Sequence, residues 1–214
     1  MKKNVVFCAL ALCLFAVSCV CHKTDWNSIM EEYRQDETVS SLILVKYRKG
    51  SDCRVEYYLR DSLGDWMLDG EAAGYVGKNG LDKKKEGDMK TPVGEFNICK
   101  AFGILPDPGT ALEYIPVTES TFACEDDCPY YNQIVDTTGT GHKCTGEDMS
   151  KIIPAYNYGM TMDFNKENVY GKGCNIFFHC FGTHDYTAGC VAVDEVFMVH
   201  VLRTCGTSPV ISIH

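Results

Sequence analysis

Cys190 follows His179 by eleven residues in Phe177-Phe178-His179-Cys180-Phe181-Gly182-Thr183-His184-Asp185-Tyr186-Thr187-Ala188-Gly189-Cys190-Val191. The segment supplies a thiol nucleophile, an imidazole and a glycine turn. A thiolate attacks carbonyl carbon well, and a nearby imidazole can take the thiol proton or hold it as an ion pair. Gly189 lets the backbone turn sharply, so that N–H groups could face a developing oxyanion. Thr187 adds a hydroxyl on the same turn. His184 is nearer to Cys190 in sequence than His179 and is the alternative base. It sits in the polar run Gly182–Tyr186, whereas His179 ends an apolar segment that would hold its ring rigidly, so His179 is the expected base.

These groups need a scaffold, and the pattern around them is β-rich. Ser41–Tyr47 carries a β-branched, apolar run followed by the turn Lys49–Asp52, and Arg54–Leu59 reads as its hairpin partner. A third strand is expected from Trp66, with others at Gly94–Cys99, Tyr158–Phe164, Asn175–Cys180 and Ser208–His214. Asp194–Arg203 has the apolar spacing of a short helix on the sheet. Residues 22–40, with Trp26, Ile29, Met30 and Tyr33 among charges, read as a short amphipathic helix or a tether. Many short strands with Gly/Pro turns indicate a mainly β fold, a sandwich or barrel-like sheet. The polar stretch from Pro106 to Pro154 is long enough to be an active-site lid or insertion.

Four blocks in order resemble the L,D-transpeptidase catalytic domain, also called the YkuD-like domain. They are Gly74–Gly80 with Lys85-Glu86-Gly87-Asp88-Met89-Lys90-Thr91-Pro92-Val93-Gly94-Glu95-Phe96, then Glu125–Gln133, Gly171–His179, and Thr187-Ala188-Gly189-Cys190-Val191. Together they span about residues 70–202. The resemblance implies a β-sandwich with a long active-site loop, a Cys190 nucleophile, a His179 base, assistance from Thr187, and an oxyanion hole from the N–H groups of Gly189 and Cys190. It implies acyl transfer on peptidoglycan stem tetrapeptides without a cofactor, with Tyr131, Asn132 and His184 contacting substrate. Attack by water instead would make an L,D-carboxypeptidase, and loss of turnover a wall-binding module. Ala188 and Ala192 stand where the family's commonest form has histidine and arginine, which removes a cation that would hold a substrate carboxylate.

The first residues fit this reading. Met1-Lys2-Lys3 and the apolar run from Val5 to Val17 read as an export signal too short to span a membrane as a mature helix. Ala16-Val17-Ser18-Cys19 resembles a lipobox, with Cys19 the lipidated residue. The expected organisation is a lipoprotein-type signal at 1–18, a tether at 19–40 and a catalytic domain at 41–214, placed in the cell envelope on a lipid anchor. The formal charge of −9 becomes more negative once Lys2 and Lys3 are removed. Such an acidic chain is not built to neutralise nucleic-acid phosphates.

The chain has 13 cysteines. Cys124, Cys128 and Cys144 fall in the long loop. With His142 they offer donor types that suit zinc, but the spacings match no common finger. An oxidising compartment favours a local disulfide among them over a metal, and no metal is expected.

Overall fold

The computed structural model describes residues 25–214; the stretch read as an export signal and Cys19 lie outside the described residues. Helix α1 (Trp26–Gln35) precedes strands β1 (Ser41–Lys49), β2 (Asp52–Arg60), β3 (Trp66–Tyr75) and β4 (Gly94–Gly103). The long insertion carries β5 (Tyr114–Pro116), β6 (Thr121–Ala123), β7 (Ile134–Asp136), the single-turn helix α2 (Thr137–Thr140) and β8 (Glu147–Asp148). Then follow β9 (Gly159–Met162), β10 (Phe177–Cys180), β11 (Val191–Val193), α3 (Glu195–Thr204) and β12 (Pro209–Ile213). Among the described residues no helix is long and apolar enough to cross a membrane.

The fold is mainly β, as the sequence pattern indicates. The main sheet runs β12-β1-β2-β3-β11-β10-β9-β4-β5, and β12 also pairs with β4. That last pairing closes the sheet into a barrel-like ring rather than two facing sheets, which corrects the expectation of a sandwich. The terminal strand makes the closure, lying parallel to β1 through Leu42↔Val210 and antiparallel to β4 through Ile211↔Phe96. A closed ring leaves the backbone groups of its strands partnered on both sides.

Strand β1 is apolar without alternation because both of its faces are covered. Ile43 and Val45 point into the barrel core with Phe178, Val191 and Met198. Leu42 and Leu44 pack outward against Ile29, Val39 and Val210, with Trp26 and Met30 of α1 beside them. Asp25 caps α1 by accepting from the N–H groups of Asn27 and Ser28. The Arg60 guanidinium donates to the carbonyls of Tyr33, Asp36 and Val39 at the helix's other end. Of the two readings of this stretch, the amphipathic helix is the one seen, packed on the outer face of β1. At the far end Asp194 caps α3, whose Phe197, Met198, Val201 and Leu202 are buried against the barrel.

Candidate active site

The site is built on two adjacent parallel strands. β10 and β11 pair with His179 opposite Ala192 and Phe178 opposite Val191. Side chains alternate along a strand, so Phe178, Cys180, Val191 and Val193 enter the barrel core. Phe177, His179, Cys190 and Ala192 consequently share the outer face. There Phe177 and Cys190 pack with Phe102, Ala155 and Tyr156. One register thus sets thiol and imidazole on the same side of the sheet, under the end of the insertion.

His179 and Cys190 line one cavity of about 370 Å³, with Glu147, Tyr156, His184 and Ala192 among its walls. Cys190 is 8% exposed and His179 7%. The Cys190 thiol donates to the Asn175 carbonyl (3.4 Å) and accepts from the Phe177 N–H (3.3 Å); the imidazole is not among its partners. His179 Nδ1 lies 2.7 Å from the Cys180 carbonyl oxygen. A carbonyl can only accept, so Nδ1 carries the proton and Nε2 is left as an acceptor. The Tyr156 ring stands edge-on to the imidazole at 5.4 Å, its hydroxyl held by Glu147 at 2.7 Å.

Burial pushes the Cys190 thiol up to about 12, against the opposing pull of the Phe177 N–H and the more distant Lys83. Burial likewise draws the His179 imidazole down to about 4, with the Cys180 carbonyl acting the other way. Both groups rest neutral. The thiol and the imidazole line one cavity without a hydrogen bond between them.

The turn before Cys190 is held by groups from the first resembling blocks. Gly189 has φ +153, and a Cβ there would meet the Lys90 carbonyl oxygen at 2.9 Å and Ile176 at 3.0 Å. Only glycine passes this close to that backbone. The Thr187 hydroxyl donates to the Cys190 carbonyl (2.7 Å) and accepts from the Gly189 N–H (3.1 Å). Thr187 therefore staples the turn and does not bond the thiol. Its acceptance of the Gly189 N–H also engages one of the two donors expected for an oxyanion. Backbone bonds from Thr187 N–H to Val76 and from Lys78 N–H to Thr187 seat the turn on the Gly74–Gly80 block.

Sequence reading did not single out Thr91 or Lys83. The fully buried Thr91 hydroxyl donates to the Cys190 carbonyl (3.2 Å) and accepts from the Gly77 N–H (2.8 Å). Lys83 is buried in a smaller recess of about 100 Å³ that also reaches Cys190, with Glu86, Glu125 and Glu147 around it. Its ammonium pairs with Asp88 at 3.0 Å. Asp88 also accepts from the N–H groups of Lys84, Lys85 and Lys90. Burial alone would raise the Asp88 carboxyl, but these bonds outweigh it and hold it at about 2. Lys83 is thus held by Asp88 in a recess that reaches Cys190, different from the cavity lined by Ala192. Its neighbour Asp88, set among lysines and glycine, was the available clue.

The other expected contact residues divide. His184 is exposed on the cavity lining and stacks on Tyr186 with ring centroids 5.1 Å apart. Tyr131 is buried, its hydroxyl donating to Glu86 at 2.8 Å, and it lines neither recess at Cys190. Asn132, at φ +65, donates from Nδ2 to the carbonyls of Phe164 and Asn165 and accepts the Asn175 N–H on Oδ1 at 2.8 Å. It positions Asn175, whose carbonyl takes the Cys190 thiol, and faces a different groove. No protein-family model and no curated protein matches this chain.

Proposed function

We propose that this chain is an exported, lipid-anchored cysteine acyltransferase of the L,D-transpeptidase type, acting on peptidoglycan stem peptides. The observation that carries the proposal is the shared cavity of Cys190 and His179, with Nδ1 committed to a backbone carbonyl and Nε2 open to accept. The resemblance of the four blocks supplies the substrate class.

In this reading Cys190 Sγ adds to the scissile carbonyl as its proton passes to His179 Nε2. Collapse of the tetrahedral adduct breaks the C–N bond, and the imidazolium returns the proton to the departing D-amino acid. A thioester on Cys190 remains. An acceptor amine then gives its proton to His179 and attacks the thioester, leaving a new amide and the free thiol. Neutral resting groups suit this cycle, because proton transfer accompanies attack and no charge waits in a buried site. Glu86, Glu125 and Glu147 around the smaller recess would draw in a cationic amine, which suits an amine acceptor that gives up its proton before attack. Lys83 offers the cation that Ala192 does not.

Incubation with a disaccharide tetrapeptide tests the proposal by mass spectrometry. Cross-linked dimers and a thioester on Cys190 are expected. Tripeptide alone would replace transferase by carboxypeptidase, and an inert Cys190 would leave a wall-binding module.

A further inference from the structure

The insertion holds a second cluster, outside both recesses at Cys190. Cys124 Sγ lies 3.6 Å from Cys128 Sγ and 3.8 Å from His142 Nε2, and Cys128 Sγ lies 3.4 Å from the same nitrogen. The ligand atoms of Cys124, Asp126, His142 and Cys144 all fall within 4.8 Å of one another. Four tetrahedral ligands around zinc, with Zn–S of about 2.3 Å and Zn–N of about 2.0–2.1 Å, would stand roughly 3.8 Å apart for S···S and 3.5 Å for S···N. The three separations agree with those edges to within a few tenths of an ångström. They do not describe a disulfide, whose sulfurs would be about 2.05 Å apart. All three cysteines are free, against the expectation of a local disulfide.

Backbone N–H groups face two of the sulfurs. The Tyr130 N–H donates to Cys128 Sγ (3.4 Å) and the Gly146 N–H to Cys144 Sγ (3.3 Å), each from two residues downstream. Such bonds stabilise sulfur that carries negative charge and orient it toward a metal. The Tyr130 ring lies against the imidazole at 4.8 Å and fixes its plane. Asp126 is the competing donor, but Thr145 engages both of its oxygens and Oδ2 stays 3.9 Å from His142 Nε2. With Asp126 committed to Thr145, Cys128 Sγ, 3.6 Å from Cys124 Sγ and 3.4 Å from His142 Nε2, is the better-placed donor to join Cys124, His142 and Cys144.

A metal here would also staple the insertion. Its sheet, β7-β6-β8, has strands of two or three residues. Its small buried cluster consists of Cys124, Val135 and Cys144. Ala123, Ile134 and Met149 of the insertion pack against Phe102 and Phe177 of the main sheet, but the cluster that carries the cysteines is small, the kind of place where small folds use a metal.

We propose that Cys124, Cys128, His142 and Cys144 bind one zinc ion in a closed, structural site. Binding releases the three thiol protons and leaves Zn²⁺ held by three thiolates and the neutral imidazole. The ion fixes the segment that carries Glu147 and supports the nucleophile. The Cys124 carbonyl accepts from Asn132 N–H (3.0 Å) and Asn175 Nδ2 (3.3 Å), and the Asn175 carbonyl accepts the Cys190 thiol. The proposal does not depend on which reaction Cys190 performs.

The test uses the full chain, purified without oxygen and with reductant in mild detergent, then loaded with Zn²⁺ alone and freed of excess. Elemental analysis should give about one zinc per chain, falling to under about a tenth in Cys128→Ser and Cys144→Ser. Asp126→Asn should keep the full equivalent. Should the cysteine variants fail to fold, Co²⁺-loaded wild type provides the second readout. It should show thiolate charge-transfer absorption and the strong visible bands of tetrahedral cobalt. Zinc at background in the wild type, a Co²⁺ spectrum lacking those bands, or loss of zinc in Asp126→Asn equal to that in Cys128→Ser would overturn the assignment.

Discussion

Acidification should destabilise this protein through His179, by an amount the structure sets. The imidazole is 7% exposed and burial holds it at about 4, below the ordinary histidine value of 6.5. A lowered folded value means that the unfolded chain takes up a proton first as pH falls. Stability from this group is therefore intact above about pH 6.5 and is lost progressively between 6.5 and 4. At about 1.4 kcal/mol per pH unit, the loss approaches roughly 3 kcal/mol by pH 4, and about 2.5 kcal/mol between pH 7.5 and 4.5. The low-lying carboxyls, Asp88 and Asp136 at about 2, give up their contributions further down the scale. Within the window His214, also lowered by burial, adds to the loss and Glu125, raised by burial, opposes it; both are common to wild type and variant and cancel in the comparison. Urea unfolding of the wild type and His179→Gln at pH 7.5, 5.5 and 4.5 measures the effect. Wild type should lose about 2.5 kcal/mol more than the variant over that span. Equal losses would mean that the folded imidazole is solvated or charged, and the neutral-base reading of the site would fall with it. Nitrogen NMR of the ring gives an independent check, since the wild type should keep a proton on Nδ1 alone down to about pH 5.

Three further outcomes are expected. If the proposed L,D-transpeptidase-type reading holds, the resemblance implies that carbapenems acylate Cys190 slowly, and penicillins little or not at all. Intact mass should show one adduct, absent in Cys190→Ala and much reduced in His179→Ala; labelling of Cys174 or Cys180 instead would contradict the nucleophile. Gly189→Ala forces a Cβ against the Lys90 carbonyl at a φ that side chains rarely adopt, and should cost about 2–4 kcal/mol, read by thermal or urea unfolding. Asn132→Ala removes the side chain that joins Asn175 to the Phe164–Asn165 carbonyls. It should cost about 2 kcal/mol and lower the acylation rate of Cys190 without altering which thiol reacts; an unchanged rate would show that Asn132 does not position the nucleophile.

The sequence by itself determined the local elements. Continuous apolar runs, turn residues and helical spacing placed β1 to β4, β9, β10, α3 and β12 close to where they lie, because these signals belong to neighbouring residues. The same locality made Cys190 and His179 legible, one at a glycine turn and the other on a buried strand. Tertiary structure decided what depends on partners distant in the chain. The pairing of β12 with both β1 and β4 closes the ring, and no local period encodes a strand's second neighbour. Residues 26–35 read as an amphipathic helix or a tether, and the cover that Leu42 and Leu44 need decides for a helix packed on β1. Asn132 and Tyr131, polar and in a loop, read as substrate contacts, yet their hydrogen bonds are spent on Asn175, Phe164 and Glu86. Lys83 gains its place near Cys190 only through Asp88. The thiols of Cys124, Cys128 and Cys144 have an irregular spacing that hides their convergence with His142. A donor's type is written in the sequence, but which acceptor, metal or neighbour it meets is fixed by long-range packing.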